Sequence, residues 1–389
     1  MPGHTFGDRL REARKLAGIT QSDLAARSGV SLSMIRKIEQ GSRESRLETA
    51  RRLASALDIP TTRLLATEPP ESTPPVDHDR WAELVAAVSA PGPGDVEEEP
   101  TPAGVSSALN SAVDLYVRGR FTDLATLLPA LVRDSTALAD TSLQMRVLQL
   151  AGRLMTQVRL YEPASTAFDR ADRLVPDTLH GASMANNRCW LLLRSGRLQE
   201  ASDLAARWAV ELEPRLSTAT NGELSAWGAV LLRVAATAAR DSRPDDAQHA
   251  LRLATAAGAM MRPGGAGEAR TAGFYRGFSS VTVAMQRAER AMVEDRPDEV
   301  LRLADRIGAL RLAPTVNSRN RHLLDVANAQ VRTRQYGEAT ETLLRVERDA
   351  PQWLGHQRYA RDIVQAMTER RRKLTPEMRR LARTIHLPM

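Results

Sequence analysis

The chain has 389 residues, of which 42% are hydrophobic and 26% charged, with a formal net charge of +7. That length exceeds what one compact core accommodates, so two or more folding units are expected. The single cysteine, Cys189, excludes an internal disulfide and a Cys-based zinc site within one chain. Its neighbours Trp190, Leu191 and Leu192 make it an inert core thiol by expectation. The first residues carry charge but no apolar signal-peptide run, and the most apolar stretch, Trp227 to Ala239, is interrupted by Arg233. A soluble cytoplasmic protein with no membrane partner is expected. The seven histidines are scattered, without HExxH or G-x-S-x-G spacing, so no catalytic residue, metal site or cofactor is expected and the chain reads as a non-enzyme.

Composition divides the chain in three. Residues 1–66 hold 12 Lys+Arg against 7 Asp+Glu, a basic balance that suits a polyanionic partner. Residues 67–104 hold 8 of the 21 prolines and 1 basic against 9 acidic residues, the signature of a linker. Residues 105–389 form the third segment.

In chain order, Phe6, Leu10, Ala13 and Ala17 share one helical face, predicting a helix over Thr5 to Ala17 that Gly18 ends. Thr20 caps a second helix, with Asp23 at its positive end, and Gly29 stops it. Only Val30 separates that glycine from the next cap, Ser31. Two helices joined so tightly must cross steeply, as in a helix-turn-helix. The third helix, Leu32 to Gln40, turns Ile35 and Ile38 inward and ends at Gly41. Ser45 to Glu48 reads as a capping box opening a fourth helix, and a short turn follows from Thr61 to Leu65.

The run Leu10-Arg11-x-x-Arg14, Gly18-Ile19-Thr20-Gln21, Leu24-Ala25, Ser28-Gly29-Val30-Ser31, Ile35, Ile38-Glu39-x-Gly41 and Leu53-Ala54-x-Ala56-Leu57 resembles the phage-repressor, or XRE, type of helix-turn-helix domain. The resemblance implies base contacts from Leu32, Ser33 and Lys37 in the major groove of double-stranded DNA. It implies phosphate contacts from Gln21, Ser31, Arg36, Gln40 and Arg43, and a structural ion pair between Arg14 and Glu39. The chemistry agrees: Lys37 can donate to guanine, Ser33 to several bases, and Leu32 can pack on a thymine methyl.

Inside the linker, Trp81, Leu84, Val85 and Val88 predict an amphipathic helix near residues 78–89. Its stripe must be buried on the following segment as a cap, on the DNA-binding domain, or on a second subunit. Beyond Val105, helical periods repeat without strand alternation. Six segments align, beginning at Phe121, Tyr161, Leu198, Pro244, Pro297 and Tyr336, with an apolar or small residue seven positions into each: Leu128, Phe168, Ala205, Leu251, Ala304 and Leu343. The pattern resembles the second helix of tetratricopeptide repeats, which implies a right-handed superhelix whose concave face is lined mainly by first helices. Pro376 to Ile385 reads as a closing cap. The fold class expected is thus all-α: a five-helix helix-turn-helix domain, a Pro-rich linker and a tetratricopeptide-like solenoid.

On first helices, Asn186 and Asn187, and then Asn317, Asn320, Arg321 and Asn328, are polar where a core requires nothing polar. Asparagine pairs with peptide backbone, so these are candidate groove residues, with a solvated groove wall or inter-repeat hydrogen bonding as the other roles. The Gly-rich run Pro263 to Gly267 lacks a GK[ST] ending and reads as an inter-helix loop. The two-part layout is similar to peptide-sensing quorum regulators and to actinobacterial regulators of this kind. It implies a homodimer that reads an inverted-repeat operator and responds to a peptide or small-molecule effector. The alternative is a protein-interaction module in which the array sequesters a protein partner and DNA binding is secondary.

Overall fold

The computed structural model describes residues 5–42, 45–65, 78–92, 99–138, 140–261, 278–308, 315–369 and 374–387, and among these every regular element is a helix. The amino-terminal domain contains α1 (Phe6–Leu16), α2 (Gln21–Ser28), α3 (Leu32–Glu39), α4 (Leu47–Ala56) and α5 (Thr61–Leu64). Thr5 and Thr20 each form a reciprocal capping box, with Asp8 and Asp23. Gly29 closes α2 in the left-handed region at φ 63°, and Val30 drops into the core before Ser31 caps α3. That glycine is required, since a side chain there is strained. Gly7 has a different duty: a Cβ would lie 2.2 Å from the Ile38 carbonyl oxygen, so α1 and α3 touch backbone to backbone. Phe6, Leu10, Leu24, Ile35, Ile38, Leu53 and Leu64 fill the core between the five helices. The expected capping box at Ser45 does not form. Arg46 is the N-cap of α4, and the Ser45 hydroxyl donates to the Arg46 carbonyl instead. The helix starts too late for Ser45 to reach its free amides.

The linker helix α6 (His78–Ser89) buries Trp81, Leu84 and Val88 in the core of the array, and Arg170 holds its end through the Val88 carbonyl at 2.6 Å. Of the three burial sites open to its stripe, the array cap is the one occupied. Each such side chain contributes roughly 1.5–3 kcal/mol on burial.

Six helix pairs follow: α7 (Pro102–Val117) with α8 (Phe121–Ala137), α9 (Thr141–Gln157) with α10 (Tyr161–Asp172), and α11 (Thr178–Arg194) with α12 (Leu198–Glu211). Next come α13 (Asn221–Arg240) with α14 (Pro244–Met260), α15 (Ser280–Val293) with α16 (Pro297–Gly308), and α17 (Val316–Arg332) with α18 (Tyr336–Asp349). The six aligned segments are the second helices, each beginning at the residue the alignment marks. Leu128, Phe168, Ala205, Leu251 and Leu343 are buried and Ala304 is half-buried. A feature of the turns escapes the alignment. Two residues before every second helix the backbone is left-handed: Gly119, Arg159, Gly196, Ser242, Asp295 and Arg334 have φ between 58° and 81°. The next residue's N–H then bonds to the carbonyl five positions back, from Arg120 to Leu115 through Gln335 to Gln330, at 2.8–2.9 Å. This 6→1 closure satisfies the orphan carbonyls of each first helix and reverses the chain.

Three shorter helices end the chain: α19 (Pro351–Gly355), α20 (Arg358–Glu369) and α21 (Pro376–Thr384). In α21, Met378, Leu381 and Ala382 are buried, as a cap requires. The carboxy-terminal helices also reach back to the first pair. Gly119 packs under Ala350 and Trp353, the Thr122 N–H donates to Gln352 Oε1 at 2.9 Å, and the rings of Phe121 and His356 lie 5.9 Å apart. One apolar core therefore runs through both ends of the array. Among the described residues no helix is long and apolar enough to cross a membrane. Arg43, residues 67–77 and 93–98 of the Pro-rich linker and the Gly-rich run lie outside the described residues.

Candidate nucleic-acid interface and ligand groove

On α3, Ser33, Arg36 and Lys37 are exposed and Leu32 is half-buried, while Ile35 and Ile38 hold the opposite face in the core. Ser31 and Gln40, at the two ends of the helix, are also exposed. One short helix thus presents two cations and two hydroxyls together, with free backbone amides at its start, a set that suits phosphates and base edges.

The position of α3 is set from behind. Glu39 is 3% exposed and receives both Arg14 Nε at 2.7 Å and Arg14 Nη2 at 2.9 Å, a bidentate pair joining α1 to α3. The Arg11 guanidinium donates to the Glu39 carbonyl. Gln21 Nε2 donates to Glu39 Oε2 at 2.8 Å, so the side chain expected on a phosphate is turned into this network. Burial alone raises the Glu39 carboxyl, but hydrogen bonds from Arg14 and Gln21 with the charges of Arg14 and Arg11 outweigh it and hold it below its ordinary value.

The domain is seated on the array. The Thr61 N–H donates to the Asp241 carbonyl, the Thr62 N–H to Asp241 Oδ1 at 2.8 Å, and the hydroxyls of Thr61 and Ser242 lie 3.2 Å apart. Glu48 of α4 pairs with Arg332 at 2.9 Å, and Arg332 also pairs with Asp295. Asp241, Ser242 and Asp295 lie in turns between paired helices, and Arg332 is the last residue of α17 before such a turn. Arg51 is pressed into this interface: burial, with Arg240 and Arg332 nearby, lowers its guanidinium to about 10 against the opposing pull of Glu48 and Asp295.

Below lies a groove of about 1200 Å³ lined by the first helices α7, α9, α11, α13, α15 and α17 and by α19 and α20, with Leu47 of α4 at its rim. Asn186, Asn187, Asn317 and Arg321 line it. Asn320 does not: it is fully buried between helices, away from the groove, because it falls one residue before Arg321 on the turn of α17. Asn328 lines a second cavity of about 890 Å³ between α4 and the array, where its Nδ2 donates to the Tyr359 hydroxyl. A sequence reading of asparagines missed the charges. Glu289 receives Arg240 and Arg321, and Arg321 also pairs with Asp325 at 2.9 Å and stacks on Tyr359. Burial opposes ionisation of Glu289, and the two arginines reverse that and keep it a carboxylate. Cys189 is buried, and desolvation pushes its thiol up to about 12, so it is inert.

A tightly turned α2–α3 pair with an outward cationic face defines the amino-terminal unit as a DNA-binding helix-turn-helix domain, carried here by a helical-repeat array. Residues 10–64 match the helix-turn-helix family model. Over 62 residues, 16% of this chain, the sequence is 40% identical to an uncharacterized HTH-type transcriptional regulator, RghRB, of Bacillus subtilis (strain 168); the shared stretch spans 45% of that protein's length. Among solved structures, PlcR of Bacillus thuringiensis in complex with the peptide PapR7 and DNA aligns over 79% of this chain and 96% of its own, at 14% identity and a TM-score of 0.38. A variant of PrgX aligns over 89% of this chain and 94% of its own, at 10% identity and a TM-score of 0.23.

Proposed function

We propose that the protein is a sequence-specific transcriptional regulator: a homodimer that reads an inverted-repeat duplex with α3 and binds an effector in the groove of its array. The observation that carries this reading is the seating of the helix-turn-helix domain on the turns that border the groove, with Ser33, Arg36 and Lys37 left exposed. A ligand that reshapes the groove moves the ends of the first helices next to Asp241 and at Arg332, and with them the DNA-reading domain. In a twofold dimer that motion changes the spacing of two α3 helices, which must match half-sites one helical turn or a multiple apart. The name of the RghRB relative agrees with such a regulator.

The test is selection of bound sequences from randomised duplex DNA by the full chain and by Lys37→Ala. An inverted repeat that Lys37→Ala relaxes at one position per half-site is expected. Arg36→Ala should instead lower affinity uniformly and reduce the log–log salt slope by about one unit. Recovery of no motif by the full chain, with and without effector candidates, overturns the reading in favour of a protein-interaction module.

A further inference from the structure

The charges along the groove are unevenly compensated. On the side built by α15, α17 and α20, with the end of α13, Arg240, Arg321 and Arg358 face Glu289, Asp325 and Asp362. On the side built by α7, α9, α11 and the middle of α13, Arg146, Arg153, Arg159, Arg194 and Arg233 face Asp114 alone.

Three of these five arginines are held by neutral groups. Arg153 lies over the Tyr116 ring at 4.8 Å. Arg194 lies over the Trp190 ring at 5.6 Å, donates to Gln357 Oε1 at 3.2 Å and to the Gln157 carbonyl at 3.4 Å, and leaves Nε without an acceptor. Arg233 Nε donates to Asn186 Oδ1 at 2.8 Å. Among the described residues, none of the three has a carboxylate within ion-pair distance. Desolvation lowers the guanidinium of both Arg194 and Arg233; Arg159 and Arg321 add to this for the first against the pull of Tyr161, and Arg240 and Arg153 for the second against the pull of Cys189 and of the Glu289 carboxylate beyond ion-pair distance. A guanidinium cannot shed its proton near neutral pH, so half-buried guanidiniums on a groove wall without an ion-pair partner offer a charge that a bound anion can neutralise.

We propose that Arg153, Arg194 and Arg233 form an anion subsite in the groove, which takes a ligand bearing carboxylates. The inference rests on the groove being the effector site and names the chemistry of the effector. The planar forks of Arg194 and Arg233 match carboxylate geometry, and the amides of Asn187 and Gln149 on the same wall supply neutral contacts to the rest of the ligand. Arg194 also lines the cavity beneath α4, so an anion bound there changes the field under the DNA-reading domain.

The experiment is thermal unfolding of the full chain, at matched ionic strength, with citrate, tetra-glutamate or tetra-lysine, in the native protein and in Arg233→Glu and Arg194→Gln. Citrate or tetra-glutamate should raise Tm and tetra-lysine should not; citrate alone points to a small acid, tetra-glutamate alone to an acidic peptide. Arg233→Glu supplies the missing charge internally, so it should melt higher than the native chain without a probe and need at least tenfold more anion to respond. Arg194→Gln should lose the response, and if it does not fold, Arg233→Glu still decides. No Tm shift with either anion, or an unchanged response in Arg233→Glu, overturns the subsite. A shift that depends on these arginines but leaves DNA affinity unaltered supports the subsite and overturns the effector role of the groove instead.

Discussion

Asp241, in the turn between α13 and α14, accepts a hydrogen bond at 2.8 Å from the Thr62 N–H, so a residue of the array caps a helix of the DNA-reading domain. Pro60, the N-cap of α5, offers no side-chain acceptor of its own. The free amides of that helix are completed from 179 positions away in the chain.

Asp241→Ala should therefore loosen the seat while leaving both units folded. A hydrogen bond to a charged acceptor contributes about 1.5–3 kcal/mol, so amide exchange across Thr61 to Leu64 is expected to quicken by about tenfold or more. Asp241→Asn keeps the Oδ1 acceptor and should exchange nearly as the native chain does. Equal rates in all three proteins would mean that the domain is not seated on the array in solution.

Within the DNA-reading domain, stability depends on Glu39. Removing one partner of a buried pair costs about 3–5 kcal/mol, comparable with the whole stability of a small domain. Glu39→Ala should unfold α1 to α3 and abolish DNA binding, while the array, whose apolar core shares no residue with the core of that domain, keeps its own melting transition. The pH dependence follows from the same contacts. The folded-state pKa of Glu39 lies below its ordinary value of 4.5, so its contribution is fully present above that value and is lost as pH falls through the folded one. Retained amide protection in α1 to α3 of Glu39→Ala would refute this.

The helix-turn-helix was legible in the sequence because each of its determinants is local: Thr20 and Asp23 cap, Gly29 turns, and Ile35 and Ile38 face inward. The six second helices were legible for a similar reason, since a turn is followed each time by apolar residues at helical spacing. What stayed hidden depends on contacts between distant residues. The return of Trp353 to Gly119 is set by curvature accumulated over six pairs, and the seating of Thr62 on Asp241 by the way two units meet. Asn320 could not be separated from Arg321 because a one-residue step on α17 moves a side chain from core to groove. The left-handed turns were obscured because only Gly119 and Gly196 of the six are glycine.

That last point yields a stabilising substitution. Arg334 is exposed, lies at φ 66° and has a side chain with no hydrogen bond or ion pair among the described residues. An L-residue in this region costs about 1–2 kcal/mol, and the greater unfolded-state entropy of glycine offsets about 0.5–1 kcal/mol of the gain. Arg334→Gly should raise array stability by roughly 0.5–1 kcal/mol, measured as a shift of the denaturant midpoint at constant m. Arg334→Ala, which keeps the Cβ, should not. A midpoint for Arg334→Gly at or below the native one would contradict the assignment of strain to this turn.

Acid should weaken the array through two histidines. Burial first, then the Arg321 charge, brings His322 down to about 4, and burial with Arg80, His386, Arg194 and Arg159 does the same to His356 beside Phe121. Both are neutral when folded, whereas the unfolded chain takes up protons near 6.5. Stability is thus fully present above about pH 6.5 and falls as pH drops from there toward 4, because the unfolded state binds the protons first. In this window the Tm of the array should decline and His356→Gln should decline less steeply, since one of the two protonations is removed. His356 packs against Phe121 where the two ends of the array meet, so exchange should quicken at α8 and α19 before α13 and α14. A Tm independent of pH between 6.5 and 4 would show that neither imidazole is held neutral by the fold.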